Sequence, residues 1–227
     1  MGRLKIAVCG YRSWALEIIE KIKNHPDILS MIIIEGKDDY DKKINSLPED
    51  LDFLLFLGWS WIIPPEITNK YLCLGIHPSD LPFYRGGSPL QHQIINGALK
   101  SKLSLITLGD KLDAGEIWLK EDLNLTGNNM TEVFKNISNS SITLLEKFIK
   151  QFPHVKPGKQ NISEGTFFKR RKEEESKITK DQFQKMSSLE LYNFIRCLTD
   201  PYPNAYLEDE KGNKLVFKEV IYIPKIK

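Results

Sequence analysis

A histidine and an aspartate in two separate loops are the side chains of this 227-residue chain best suited to chemistry. His77 follows the apolar segment 71–76, which predicts a strand, and precedes a loop rich in Pro and Gly. Open α/β sheets bind ligands at the carboxyl ends of their strands. Asp113 lies in a second loop, before Gly115. A histidine beside an aspartate is a general acid/base pair, whereas a lone histidine is usually structural and an Asp-x-Gly segment usually caps a turn.

Three further segments carry side chains that could bind a ligand. Residues 57–65 follow a predicted strand without strand alternation and contain two tryptophans, which are most often core residues. Arg12 follows Gly10 in the turn between the first strand and helix, so it either binds a phosphate or is solvated. Gln91 and His92 lie in a predicted helix whose apolar residues face the core, which turns the two polar side chains towards the site.

Composition and charge exclude several classes of protein. The 32 basic and 30 acidic residues give a net charge of +2, which is too balanced to indicate a nucleic acid partner. No apolar run reaches the roughly 18–20 residues of a membrane span. The three cysteines are odd in number and favour buried thiols in a reducing compartment over disulfides or a metal site. With no visible signal peptide, we expect a cytoplasmic protein.

The hydrophobic pattern predicts an α/β protein built on an open, mostly parallel sheet. Near-continuous apolar runs predict strands covered on both faces; they span 4–9, 31–34, 52–57, 71–76 and 103–108. Helical spacing predicts helices from Trp14 to about Pro26, over 89–95, and from an Asn129 N-cap to about Phe152.

The C-terminal third has a different composition. Pro, Gly and charged residues dominate 153–175 and predict a surface segment. Ser187 and Glu190 form a capping-box pattern for a helix through Leu198, and 205–220 read as a β-hairpin. We therefore divide the chain into a core at 1–152, a linker and surface loop at 153–185, and a C-terminal helix and hairpin at 186–227.

One family shares these motifs. The run His77-x-Ser79-x-Leu81-Pro82-x-Tyr84-Arg85-Gly86, followed by Leu112-Asp113-x-Gly115, resembles the 10-formyltetrahydrofolate-dependent formyltransferases. Segments 166–171 and 200–206 resemble C-terminal elements of the nucleotide-sugar N-formyltransferases within that family. The resemblance implies a Rossmann-like formyltransferase fold with a small C-terminal helix and β-hairpin. It also implies 10-formyltetrahydrofolate as formyl donor, a nucleotide-linked deoxyaminosugar as acceptor in glycan biosynthesis, and a homodimer.

The same resemblance assigns site residues. It makes His77 and Asp113 the catalytic pair. The residues expected at the folate cofactor are Trp61, Ile63, Leu81, Leu108 and Asp110. The residues expected at the acceptor substrate are Arg12, Tyr84, Arg85, Gln91 and His92. No metal site is expected.

The family's catalytic Asn is replaced in this chain by Gly75, two residues before His77. The Asn amide donates to the developing oxyanion, and loss of one such donor typically costs about 10²–10³ in rate. We expect a water or a polar side chain of the next helix, Gln91 or His92, to fill the space beside Gly75 and supply the missing donor. Three alternatives stay open: a catalytically impaired folate- or sugar-binding relative, a formyltransferase acting on another amine, and a nicotinamide oxidoreductase. The absence of a G-x-G-x-x-G fingerprint disfavours the last.

Overall fold

The structure is a computed structural model that describes residues 2–225. Its strands are β1 Leu4–Gly10, β2 Ile28–Glu35, β3 Phe53–Leu57, β4 Cys73–His77, β5 Arg85–Gly86, β6 Lys100–Thr107, β7 Ile117–Asn124, β8 Phe167–Phe168, β9 Tyr206–Glu208 and β10 Lys214–Val216. Its helices are α1 Ser13–Ile22, α2 Gly36–Lys43, α3 Pro65–Lys70, α4 Pro89–Ile95, α5 Met130–Gln151, α6 Lys180–Lys185 and α7 Ser188–Arg196.

Six strands form one central sheet in the order β2-β1-β3-β4-β6-β7. The first four are parallel, and β6 and β7 are antiparallel to their neighbours. The chain places β2 on one side of β1 and β3 on the other, so the strand order reverses there. Such a reversal opens a crevice at the carboxyl ends of the two strands, and Gly10 and Leu57 pair at this point. The predicted α/β, mostly parallel, Rossmann-like fold is confirmed.

Strand β3 shows why the sheet is covered on both faces. All five of its residues are buried. Phe53, Leu55 and Leu57 join the core under α1, α4, α5 and α7, whereas Leu54 and Phe56 join a second core under α2 and α3. Successive side chains of a strand point to opposite faces, so a strand buried on both sides is apolar throughout.

Helix α5 begins where the sequence predicts. The Asn129 side chain caps it by accepting a hydrogen bond from the Glu132 N–H at 3.0 Å. Its apolar residues recur at helical spacing and pack against α1 and β7. Among residues 2–225, no helix is both long and apolar enough to cross a membrane.

The C-terminal part packs on the same core as the sheet. Ser187 and Glu190 form the predicted capping box of α7, and Phe194, Ile195 and Leu198 are buried in the core shared with β3. Strands β9 and β10 form the predicted hairpin. The division into three domains stays a prediction.

The sequence prediction missed six elements, namely the helices α2, α3 and α6 and the strands β5, β7 and β8. Helix α2 is polar and buries only Tyr40, so it lacks an apolar stripe. Strand β7 lies at the sheet edge and is mostly half-exposed. The segment 153–185, predicted as linker and loop, also contains β8, which pairs in parallel with β5.

Candidate active site

His77 ends β4 and lies in a nearly buried position, with 7% of its surface exposed. Its Nε2 is 2.9 Å from the carbonyl oxygen of Tyr84. Because a carbonyl only accepts, Nε2 is the donor in this contact. Its Nδ1 is 3.4 Å from Oδ1 of Asp113. Both ring nitrogens therefore face oxygen acceptors, an arrangement that an imidazolium satisfies at both ends.

Asp113 is held in place as a carboxylate. Burial alone raises the pKa of Asp113, but the hydrogen bond and charge of His77, together with the Gly86 N–H, lower that pKa below its usual value overall. The Gly86 N–H donates to Oδ2 at 2.8 Å. Each carboxylate oxygen thus has its own contact, one with the histidine and one with the loop after it.

The loop that carries Asp113 has a tightly defined backbone. Asp113 has a φ of 52°, a left-handed conformation in which Asp is one of the tolerated residues. A Cβ at Gly115 would lie 1.8 Å from the carbonyl oxygen of Thr107, so only glycine fits there. The Gln160 side-chain amide donates to the carbonyls of Asp113 and Gly115, at 3.0 and 2.7 Å.

The loop between β4 and α4 is pinned by the segment before β8. Tyr84 is left-handed, with a φ of 57°. Its N–H donates to Thr166 Oγ1 at 2.8 Å, and the Arg85 N–H donates to the Thr166 carbonyl at 3.0 Å. The Tyr84 ring stacks on Phe168, with the ring centroids 5.2 Å apart. Tyr84 therefore contributes its carbonyl to His77 and its ring to the wall formed by β8.

Two predicted substrate-binding arginines lie in different places. Arg85 donates from Nη2 to the Ile162 carbonyl at 3.4 Å, and its buried Nε has no partner within the described residues. Arg12 lies at the β1 end of the crevice, where its guanidinium carbon is 5.1 Å from the centre of the Tyr11 ring. Its Nη2 is 3.5 Å from Ser60 Oγ. A substrate role for either arginine stays a prediction.

An aromatic and aliphatic cluster lines the same crevice. Trp61 is 38% exposed and its ring lies 4.7 Å from that of Tyr11 and 4.8 Å from that of Trp59. Ile63 and Leu108 are half-buried and, like Trp59, pack against the second core. Of the predicted cofactor residues, Ile63 and Leu108 thus lie on the same core as Trp59, which contacts Trp61.

The other two predicted cofactor residues are placed differently. Leu81 is 1% exposed, its N–H faces Ser104 Oγ at 3.4 Å and its carbonyl accepts from Lys120 Nζ. This burial leaves almost no Leu81 surface for a ligand. Asp110 is exposed in the loop before Asp113, where a ligand can reach it.

The space beside Gly75 is filled by an aliphatic side chain. A Cβ at Gly75 would lie 2.9 Å from Cδ2 of Leu108. The expectation that Gln91 or His92 fills this space is therefore wrong. His92 instead stacks on Phe168 at 4.4 Å, with Nε2 3.2 Å from the Lys169 carbonyl.

Of the two α4 residues predicted at the substrate, Gln91 is buried and His92 is half-buried. Burial lowers the pKa of His92, a shift that the Lys169 carbonyl partly opposes. Gln91 is 3% exposed, and its Oε1 lacks a hydrogen-bond partner among the described residues. The sequence predicts that both side chains turn towards the site. The contacts of His92 show a different orientation, since its ring packs on Phe168 of β8. A role for them in substrate binding stays a prediction.

Sequence reasoning gave no role to Gln160, Thr166 or Phe168. Each reaches the site through contacts with residues far away along the chain, and no local pattern signals such contacts. Only the resemblance of segment 166–171 to sugar N-formyltransferases drew attention to that stretch. Within residues 2–225, no group of three or more His, Cys, Asp or Glu side chains could hold a metal ion.

The described geometry supports proton transfer at the carboxyl end of β4. It combines a histidine, an ionised aspartate and a half-exposed aromatic patch. General acid–base catalysis requires a positioned group that can take up and release a proton near neutral pH, which histidine does.

Comparisons with known proteins point to one family. Residues 33–140 match the model of the formyl transferase family. Methionyl-tRNA formyltransferase of Rickettsia typhi is 34% identical over 170 residues, which are 73% of this chain and 54% of that protein. The enzyme of the same name from Bacillus thuringiensis is 32% identical over 193 residues, 83% of this chain and 59% of its own length. The chain thus spans somewhat more than half the length of these relatives.

Solved structures share the whole fold. A methionyl-tRNA formyltransferase from Clostridium thermocellum superposes with a TM-score of 0.79 at 30% identity, covering 96% of this chain and 99% of that one. A 4-N formyltransferase from Francisella tularensis gives a TM-score of 0.78 at 22% identity, with 98% and 99% covered, and this likeness concerns the fold alone. The family model, the sequence identity and the shared structure agree. This chain therefore belongs to the formyl transferase family.

Proposed function

We propose that this protein is an N-formyltransferase that moves a formyl group from 10-formyltetrahydrofolate to the amine of a nucleotide-linked deoxyaminosugar. The observation that carries the proposal is the contact between His77 and Asp113 at the end of β4. The sheet and loops bring these two residues together from separate segments, and they are the pair that the family motif singles out.

The chemistry requires a bond from the amine nitrogen to the formyl carbon, while the bond from that carbon to the donor nitrogen breaks. One proton must leave the amine and one must reach the departing nitrogen. In this proposal His77 moves the proton, which requires Nε2 to exchange the Tyr84 carbonyl for the substrate. Asp113, an ionised carboxylate beside Nδ1, stabilises the imidazolium and holds the ring in one orientation.

The residues of the crevice fit the proposed folate donor, which supplies the formyl group. A flat pterin ring needs apolar walls and a few polar groups. Trp61, Ile63 and Leu108 offer such walls. The buried Nε1 of Trp59 has no hydrogen-bond partner in the described part of the chain, so it is a donor that a bound ring could satisfy.

Gly75 provides no side-chain donor for the negative charge that develops on the formyl oxygen. Of the family's Asn and His, only the His is present in this chain, as His77. Loss of one oxyanion donor typically costs about 10²–10³ in rate. We therefore expect a slow enzyme. A relative that binds folate or sugar without turnover is the alternative.

Charge favours a small acceptor. The chain carries 32 basic and 30 acidic residues, and its basic run at 169–172 is followed directly by three glutamates. Nucleic acid binding depends on a surplus of Lys and Arg that neutralise phosphates. A nucleotide-linked sugar requires only a local phosphate contact, for which Arg12 at the β1 turn is the candidate.

A second candidate acceptor is the amine of methionyl-tRNA. The observation that favours it is the 34% identity to a protein named methionyl-tRNA formyltransferase. The same His77 and Asp113 chemistry serves either amine, so only the acceptor distinguishes the two proposals.

The test is a product assay with both classes of acceptor. The purified protein is incubated with 10-formyltetrahydrofolate and either a panel of nucleotide-linked aminosugars or methionyl-tRNA, and formylated product is followed by mass. Formylation of a sugar nucleotide supports the proposal, and formylation of methionyl-tRNA alone replaces it with the second candidate. Folate binding without product from any amine identifies a catalytically impaired relative.

We also propose a cytoplasmic homodimer. The C-terminal hairpin and the residues after it expose apolar side chains, including Leu215 at 62%, Ile221 at 78% and Ile223 at 84%. Exposed apolar patches often mark protein interfaces. A monomeric mass by light scattering at micromolar concentration contradicts the dimer.

A further inference from the structure

One segment outside the central sheet contacts the backbone beside both members of the catalytic pair. This bracing segment comprises residues 160–168. At its start, the Gln160 amide donates to the carbonyls of Asp113 and Gly115. At its end, Thr166 accepts from the backbone N–H groups of Tyr84 and Arg85.

The Thr166 contacts lead to His77 through Tyr84. The Tyr84 N–H donates to Thr166 Oγ1, and the Tyr84 carbonyl accepts from His77 Nε2. Tyr84 holds a left-handed φ of 57°, which costs free energy in a residue with a large side chain. A strained residue persists only where its surroundings hold it, and Thr166 restrains Tyr84 through one hydrogen bond and the next residue, Arg85, through another.

The Gln160 contacts act on Asp113 in the same way. Asp113 also has a positive φ, and its carbonyl accepts from Gln160 Nε2 at 3.0 Å. The second Gln160 bond goes to Gly115, where a Cβ would lie 1.8 Å from the Thr107 carbonyl oxygen. Gln160 therefore joins the residue that carries the carboxylate to a part of the loop that lies close against the end of β6.

The bracing segment is packed tightly against the loop it holds. A Cβ at Gly86 would lie 2.2 Å from the Phe168 carbonyl oxygen, and one at Gly165 would lie 2.3 Å from the Pro82 carbonyl oxygen. At these two positions only glycine fits, because the loop and the segment lie in close contact.

We propose that Gln160 and Thr166 are positioning residues that set the orientation of His77 and Asp113 for catalysis. The proposal rests on the proposed function for its kinetic consequence. In the described structure neither side chain forms a hydrogen bond to the histidine ring or the carboxylate: Thr166 acts through the Tyr84 backbone and Gln160 through the Asp113 backbone. Displacement of a reacting group by about 1 Å costs as much as 10²-fold in rate, so small losses of restraint have measurable effects.

The experiment compares substitutions that preserve shape. Thr166→Val keeps the volume and the backbone carbonyl but removes the acceptor for the Tyr84 N–H, whereas Thr166→Ser keeps that acceptor. Gln160→Met keeps the length of the side chain and removes both hydrogen bonds. Ser163→Ala is the matched control, because Ser163 lies in the same segment and, among residues 2–225, its hydroxyl bonds only to Asn161, at 2.7 Å.

Two readouts are taken on each full-length variant. The ¹⁵N shifts of the His77 imidazole report the hydrogen bonds at its two nitrogens without any need for turnover. With an acceptor amine established, kcat and KM are measured separately. Thr166→Val is expected to move the Nε2 signal and Gln160→Met the Nδ1 signal. Each is expected to lower kcat roughly tenfold with little change in KM, with Thr166→Ser and Ser163→Ala close to the parent protein.

The proposal is overturned if Thr166→Val and Gln160→Met fold normally and leave both His77 signals unchanged. It is also overturned if any loss of activity lies in KM, or if Thr166→Ser fails to restore the parent behaviour. If the parent protein formylates no amine, the proposed function fails, yet the imidazole signals still decide whether these residues position the pair.

Discussion

At the scale of single residues, the account depends on the protonation state of the His77–Asp113 pair. The two groups are nearly buried, and each is held by a backbone contact as well as by its partner. A buried carboxylate with several hydrogen bonds favours the ionised form. Asp113 therefore stabilises the fold as well as the histidine ring, and both effects can be measured.

The depressed pKa of Asp113 predicts a pH-dependent contribution to stability. Since its pKa in the folded chain lies below the unfolded value of about 3.9, the carboxylate stabilises the protein fully above that value. The contribution is lost as the pH falls through the folded-state pKa. Urea unfolding of the parent and Asp113→Asn proteins should give a constant difference in free energy between pH 7 and about pH 5, and a smaller one near pH 3. An equal difference at pH 7 and pH 3 contradicts the assignment.

Gly75 and Leu108 form a coupled pair. Because a Cβ at residue 75 meets Leu108 at 2.9 Å, Gly75→Asn alone should destabilise the fold by about 1–3 kcal/mol through overpacking. Leu108→Ala opens the space, so the double variant should be more stable than the sum of the two single effects predicts. Thermal unfolding of all four proteins measures the coupling. Additive effects would show that the two positions do not compete for this space.

At the scale of elements, the sequence predicts what is periodic and misses what depends on distant pairing. Strand β4, helix α4 and the capped start of α5 were predictable because burial and capping leave local patterns. The pairing of β5 with β8 joins two-residue strands that lie far apart along the chain. The bracing contacts of Gln160 and Thr166 likewise join residues that are distant in sequence. His77 and Asp113 could be found from their motif, but Leu108 beside Gly75 could not, because that contact is set by the register of β4 and β6.

Helix α7 is joined to the loop before α5 by one buried arginine. Arg196 is 1% exposed and donates from Nη1 to the Leu125 carbonyl at 2.8 Å and the Gly127 carbonyl at 3.2 Å. Burial is the main cause that lowers the pKa of Arg196. Arg196→Met should reduce the free energy of unfolding by about 1–3 kcal/mol, because it removes the Arg196 donor from the Leu125 carbonyl and leaves the Gly127 carbonyl with the Tyr192 hydroxyl alone. Lys135→Met, on the exposed face of α5, is the control, and equal stability of the two variants would refute this role.

At the scale of the whole molecule, one core extends from the sheet to the C-terminal helix. Cys9, Cys73 and Cys197 are buried in the two cores, free of disulfides. Burial raises the pKa of all three thiols, to about 12 for Cys73 and Cys197. A thiol reagent at pH 8 should therefore label the native protein very slowly and all three sites rapidly in denaturant, as counted by intact mass. Rapid labelling of the native protein would contradict a closed core.

The central claim is that His77 and Asp113 together transfer a formyl group to an amine. It is tested most directly by following ¹³C-formyl from labelled 10-formyltetrahydrofolate into the aminosugar nucleotide with the parent protein and with His77→Asn, Asp113→Asn and His154→Asn, the last being an exposed histidine outside the site. The account predicts that the first two substitutions lower kcat by about 10²-fold or more and that His154→Asn has no effect. Labelled product formed by His77→Asn at the parent rate would contradict it.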